Sequence, residues 1–485
     1  MASAPPAECS PSIGGQRQVT AGSGNPPGWK QGLALVSLAL SLLLWLNGLV
    51  ESLSRPSVGH ALNLRQLELA VEAEPAVPAA LRPLLGQPAP LQALNQALGD
   101  AISQGGESGA PAPAASRLER ALLLQRLGRA AEADPLLQEL ADPAAAAGPE
   151  ARLAQLLLQP KGAADTAALA LGRWPGQGAL LGQWSCEALA GPEACGNRLA
   201  PRSALLRLLA VSVLPVLLLL LGVALLLREL WLWRSGRAQP PPPLQGPPLS
   251  GLDGVLLIAG GFVVVGELLT PLLAAPLLSG LLEQLAVRSP LREGISVLGL
   301  YLALMAGPLL ILRLLLRGLA PAAPPAGGWL QFRWRPLGGA ARRALAGVLM
   351  VLPLVSLVGW LQGQLWGDPG GSNPLLELVL RSQSPAALAC FAITALVLAP
   401  LFEETLFRGV LLPVVSRSAG PLWGVLVSAL VFAVAHLSLG ELPPLLMLGL
   451  GLGWLRWSGG RLASCVLMHA LWNGFTFANL LILGA

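Results

Sequence analysis

The residues of this chain that can do acid–base chemistry are few, and they cluster. There are three histidines, His60, His436 and His469, and two of them fall in the last 50 residues. Ahead of these two stands Glu403-Glu404-Thr-Leu-Phe-Arg408, set inside the apolar run VLAPLFEETLFRGVLLPVV. A carboxylate beside an imidazole can activate water, and two imidazoles with a carboxylate can hold a metal. Glu404 and Arg408 are i and i+4 on a helix, so they share a face and can pair. Glu403 is turned about 100° away and lacks that partner. Phe432-Ala-Val-Ala-His436 ends another apolar run, and His469-Ala-Leu-Trp-Asn473 sets His and Asn on one helical face. Each element alone has a plainer reading. Charges are ordinary where a helix meets the interface, and a lone histidine in an apolar helix usually packs. Together, at membrane depth, where an ionisable side chain costs at least ~2.5 kcal/mol, they form a candidate site.

The elements that must position these residues are transmembrane helices. Of 485 residues, 54% are hydrophobic and 12% charged, and the mean hydropathy is +0.62. A soluble protein carries roughly 25% charged residues. A soluble enzyme, a disordered chain and a nucleic-acid binder are therefore excluded; the formal charge of +5 is too diffuse for a phosphate-reading surface. Apolar runs at 32–50, 205–227, 254–279, 295–312, 344–361, 385–402 (extending towards 416), 421–437, 443–455 and 462–483 predict about nine helices of an all-α, polytopic membrane protein. The expected organisation is a disordered tail (1–31), a transmembrane anchor (32–50), a soluble, mostly helical domain (51–204), transmembrane helices and linkers (205–384) and a core that carries the candidate site (385–485). PPPPLQGPP at 240–248 and APAAPPAGG at 320–328 read as linkers. Glu267, in the run GFVVVGELLTPLL, is most simply a helix end, and otherwise a cavity wall; Glu441 reads as a loop residue.

Within 51–204, Ser116-Arg-Leu-Glu119 has the form of a capping box, and Gly128 breaks the helical pattern that follows into a helical pair. Cys186 and Cys195 lie close together in a polar stretch and can bridge in an oxidising compartment. Arginines accumulate in alternate loops: Arg228, Arg234 and Arg237; Arg313, Arg317, Arg333, Arg335, Arg342 and Arg343; Arg417; Arg456 and Arg461. Positive charge stays inside, so the soluble domain is expected outside the cytoplasm. Composition, with only Lys30 and Lys161 as lysines, suggests a bacterial inner, or a thylakoid, membrane.

Helical rise places the site. Glu403 lies 14 residues before Arg417, and His436 lies 15 residues after Pro421, which puts both about 21–23 Å from one face. His469 is eight residues beyond Arg461, about 12 Å deep, a gap that tilt can close.

EETLFR, FAVAH and HALWN, in this order, resemble the Glu-Glu-x-x-x-Arg, Phe-x-x-x-His and His-x-x-x-Asn motifs of the CPBP family, the CAAX-processing and bacteriocin-processing membrane proteases related to the type II CAAX prenyl endopeptidase. The resemblance covers about 385–482. It implies an intramembrane endopeptidase acting on membrane-associated proteins or peptides, in which Glu403 and His436 activate a water while His469 and Asn473 stabilise the oxyanion. Glu404 and Arg408 would be a structural ion pair and Phe432 would pack beside the site. Two mechanisms stay open: a metal-free, glutamate-dependent one, and one with a zinc ion on Glu403, His436 and His469. The alternative function is a non-catalytic membrane scaffold or chaperone that binds client helices in the same cavity. A transporter should show two related halves, and none is visible.

Overall fold

A chain this apolar must satisfy its backbone within its own helices, because lipid offers no hydrogen bonds. The computed structural model describes residues 27–55, 58–80, 89–107, 114–142, 148–158, 179–195, 199–319, 323–367, 371 and 373–484, and among these it is all-α, helices joined by turns and irregular linkers, with no strand. Most of the expected N-terminal tail (1–31), and residues 320–322 of the second linker, lie outside the described residues. Helix α1 (Gly28–Ser52) leads into a helical outer domain: α2 (Val58–Ala73), α3 (Pro90–Glu107), α4 (Ala114–Arg126), α5 (Ala130–Ala141), α6 (Pro149–Leu157) and α7 (Ala179–Ala190). The membrane part follows as α8 (Pro201–Arg234), α9 (Gly251–Gln284), α10 (Leu291–Arg317), α11 (Leu337–Trp366), α12 (Pro374–Arg381), α13 (Pro385–Ala419), α14 (Pro421–Val434), α15 (Leu442–Gly459) and α16 (Leu462–Gly484).

Seven helices (α1, α8, α9, α10, α11, α13 and α16) are long and apolar enough to cross a membrane. The other two expected spans are helices too, but shorter: α14 has 14 residues and α15 has 18. They pack together closely because a side chain at Gly449 would meet the Ala429 backbone at 3.0 Å. Small residues let helix backbones approach in this way.

The outer domain has its own core, in which Leu94, Leu98, Leu118, Leu122, Leu137, Leu153 and Trp184 are buried. Gly128, in the left-handed region at φ 74°, turns α4 into α5. Ser116 is not a cap, however. Ala114 and Ala115, strong helix formers, carry α4 upstream of it, and Glu119 is buried. The capping box in this structure is at Ser250 and Asp253, which opens α9. Cys186 and Cys195 form a disulfide. Helix α2 joins the domain to the membrane part: Gln66 Nε2 donates to Ser212 Oγ at 2.9 Å, and Glu72 Oε1 accepts from the Ala200 amide at 3.0 Å.

Three segments are widened to π-helix: Leu256–Leu269, Thr394–Leu398 and Thr405–Leu411. Each ends two residues before a proline, Pro271, Pro400 or Pro413. A proline ring clashes with the carbonyl four residues back and donates no hydrogen bond, and widening the turn relieves that clash. Freed carbonyls find hydroxyls: Thr270 Oγ1 donates to Val265 O at 2.8 Å and Ser41 Oγ of α1 to Ala259 O at 3.1 Å. All three widened segments border the candidate site.

Candidate active site

Helix α13 carries Glu403 and Glu404 on the short α-helical stretch Ala399–Glu404, between two widened segments. The two neighbours face different surroundings. Glu404 is fully buried, with Oε1 2.9 Å from Arg408 Nη1 and 3.0 Å from His469 Nδ1. Arg408, also fully buried, donates through Nη2 to Gly449 O at 3.1 Å and lies 4.4 Å from the Phe432 ring centroid. Arg408 is thus tied to α13, α14 and α15. A buried ion pair of this kind is held by the hydrogen bonds around it as much as by its Coulomb attraction.

Glu403 points away, into a cavity of about 210 Å³. Tyr301 Oη of α10 donates to its Oε1 at 2.9 Å. Its Oε2 has no hydrogen-bond partner and lies 3.9 Å from His469 Nε2. That separation is too long for a direct bond, but a water beside the two atoms can touch both. His436 lines the same cavity. Its Nδ1 is 2.8 Å from Phe432 O. A carbonyl only accepts, so Nδ1 carries the hydrogen and Nε2 is the nitrogen left for chemistry. The Phe432 ring lies 4.8 Å from the His436 ring and 5.7 Å from that of His469, edge-on to both, and so fixes their planes.

The structure therefore brings Glu403, His436 and His469 to one place, with Glu404, Arg408 and Phe432 behind them. Asn473 sits one turn beyond His469 on α16, and its Nδ2 donates to Ala395 O at 2.8 Å, within a widened segment of α13. Neither it nor His469, which reaches the site through Glu403 and Glu404, is among the residues that line the cavity.

Two residues at or behind the site, Tyr301 and Arg456, were not foreseen there, and for Glu267 the cavity was the second reading. Tyr301 is the sole tyrosine of the sequence, a signal that counting alone could have raised. Glu267, expected first as a helix end, lies inside the widened part of α9 and lines the cavity, with Oε2 accepting from Trp45 Nε1 of α1 at 3.0 Å. Arg456, counted above among the loop arginines, is fully buried, donating from Nε to Arg408 O at 3.2 Å and from Nη2 to Gln245 O at 2.6 Å.

The rim of the cavity is made by loops. The Gly371 amide donates to Arg55 O at 2.9 Å, and the Asn373 amide to Glu441 Oε1 at 3.0 Å. Glu441 is the expected loop residue, and burial pushes its carboxyl above the usual range. A larger hollow of about 460 Å³, lined by Arg313, Arg317, Phe332 and Thr405, holds none of the acid–base residues.

The zinc alternative asks Glu403, His436 and His469 to share one ion. A catalytic zinc needs three side-chain ligands converging within about 2.0–2.2 Å of one point. Among the described residues, no three His, Cys, Asp or Glu converge in that way. His469 Nδ1, bonded to Glu404, leaves Nε2 free, and Nε2 and Glu403 Oε2 stand 3.9 Å apart, near the spacing of two ligands on one ion, but no third group closes the set.

Residues 385–475 match the family model of Rce1-like type II CAAX prenyl endopeptidases, and residues 59–206 match a domain of unknown function, DUF8675. No curated protein and no solved structure matches the chain. The matched segment holds Glu403, Glu404, Arg408, Phe432, His436, His469 and Asn473, whereas Trp45, Glu267 and Tyr301 lie outside it. With its helical, membrane-spanning architecture, the C-terminal part of this protein is a CPBP, CAAX-protease-like, domain.

Proposed function

We propose that the protein is a metal-free, glutamate-dependent intramembrane endopeptidase that cuts membrane-associated proteins or peptides. The observation that carries this reading is Glu403: a carboxylate at membrane depth, oriented by Tyr301, open to a cavity and with one oxygen unpartnered. A water held between Glu403 and the free nitrogens of His436 and His469 gives its proton to Glu403 as its oxygen attacks the peptide carbonyl. The negative charge that develops on the carbonyl oxygen is met by His469, which donates from Nε2 when both ring nitrogens carry hydrogen, and by the remaining amide hydrogen of Asn473 once the bound peptide reaches beyond the cavity to it, donors worth a few kcal/mol each in a dry site. The C–N bond then breaks, and the proton on Glu403 passes to the departing amine. Glu404 and Arg408 keep His469 and the helix crossing in place. The outer domain lies outside the cytoplasm in this reading, where its disulfide persists.

The test begins with the client. Membrane proteomes of cells carrying wild type and Glu403→Gln identify proteins that lose cleavage, and the best of these is reconstituted with each variant in liposomes. Cleavage should vanish in Glu403→Gln at a normal protein level. Full cleavage by this variant would remove Glu403 from catalysis. Client binding with no cleavage by the wild type would favour a scaffold.

A further inference from the structure

The wall of the cavity facing Glu403 is built by parts of the chain outside the matched protease segment, and it carries a second carboxyl. Glu267 sits in the widened stretch of α9, four residues before Pro271, and its carbonyl is therefore the one that the proline ring displaces. Trp45 of α1 donates to its Oε2 and fixes the side chain, which lines the cavity. Among the described residues Trp45 is its hydrogen-bond partner and no basic side chain pairs with it. The contrast with Glu404, which has Arg408 at 2.9 Å, is plain.

We propose that Glu267 is the substrate-selecting carboxyl of this site, and that the peptide it admits places a basic side chain, lysine or arginine, beside the bond that is cut. This rests on the proteolytic reading and names its substrate class. Burial favours the neutral form of a lone carboxyl, and a cation arriving with the substrate lets it ionise by supplying what the fold omits. The rest of the cavity points the same way. Glu403 adds a second acid, and the one arginine on the lining, Arg55, lies 3.8 Å from Glu51. An acid-lined cleft with apolar walls concentrates cations; here Phe262, Leu304 and Phe407 are those walls. The cavity is smaller than the ~300–1,000 Å³ of most ligand sites, so it accepts one side chain and not a bulky group. A purely structural partner for the Trp45 N–H would need no charge, and Tyr301 already orients Glu403.

The experiment uses full-length protein in liposomes and a set of single-span peptides carrying Lys, Arg, Gln, Leu or Glu at positions scanned through the cleaved segment. The wild type should cut the best Lys or Arg peptide on the order of tenfold or more faster in kcat/KM than its Gln counterpart. Glu267→Gln should cut both within about twofold of each other, at the rate of the neutral peptide. Trp45→Phe should weaken the preference while keeping its sign. No basic preference in the wild type, an unchanged preference in Glu267→Gln, or an equal loss on every peptide would each overturn the proposal. Photo-crosslinking of the same peptides in the Glu403→Gln background reads selection without cleavage. Basic peptides should be captured preferentially there, and the added Glu267→Gln change should abolish that. Should the wild type cut nothing, the proteolytic reading fails while crosslinking still decides on Glu267.

Discussion

The outer domain and the membrane core both bury acids, and they manage them differently. In the core, Glu404 has Arg408 and His469, and Glu403 has the Tyr301 hydroxyl. In the outer domain Glu68 and Glu119, from α2 and α4, face each other beside a single arginine, Arg65, which lies 2.7 Å from Glu68. Burial is the main force pushing both of these carboxyls up, Glu119 well above the usual range, and the second carboxyl pushes Glu119 further. One Glu119 oxygen and Arg120 Nε lack partners. Where lipid replaces water, an unmatched charge costs more, and there Glu404 has a cation of its own, although Glu404 Oε2, Arg408 Nε and Glu293 Oε2 lack hydrogen-bond partners. The outer domain has water close by and tolerates a shared one. On this logic Glu267, in the core and without a cation, calls for a ligand.

Breaking the core pair should give the largest effect. Glu404→Ala or Arg408→Ala strands a buried charge at a cost of about 3–5 kcal/mol, so each should accumulate poorly and lose cleavage. The double variant should accumulate better than either single one. Wild-type thermal stability in both singles, measured in detergent, would refute a buried pair and remove half of the comparison.

Glu119→Gln should give a smaller, pH-dependent change in the outer domain. A carboxyl whose folded value is raised holds its proton more tightly folded than unfolded. Its protonated form therefore stabilises the fold at acid pH, and that stability declines as pH rises from the ordinary carboxylate range through the raised folded value. The variant should flatten this slope and protect the domain near neutral pH. Hydrogen exchange of α3 and α4 amides in the full-length protein, followed against pH, measures it. An unchanged slope would show that Glu119 does not titrate with folding.

The smallest expected effect on stability, and the sharpest on the location of the two regions, comes from labelling. In a background without the native cysteines, Ser103→Cys should react with an impermeant thiol reagent in intact cells, and Ala323→Cys should not. In the native chain Cys186 and Cys195 should resist alkylation until reductant is added. The reverse pattern would place the outer domain in the cytoplasm and overturn the compartment argument for the bridge.

The sequence by itself determined whatever follows from helical periodicity and from solvation. Apolar runs fix the helices because lipid admits little else, and the i, i+4 spacing fixes Glu404 against Arg408 because both belong to one turn-and-a-bit of helix. Depth counting along α13 and α14 put Glu403 and His436 at one level, and both line the same cavity. The tertiary structure decided what depends on contacts between helices distant in sequence. Tyr301 meets Glu403 across 102 residues and Trp45 meets Glu267 across 222. No local rule sets those pairings, since they follow from how α1, α9 and α10 pack around α13. The widened turns are a middle case. Their prolines stand in the sequence, but only packing shows that the strain falls where Glu267 enters the cavity and where Glu403 is presented to it, because a helix relieves a proline clash in whichever way its neighbours permit.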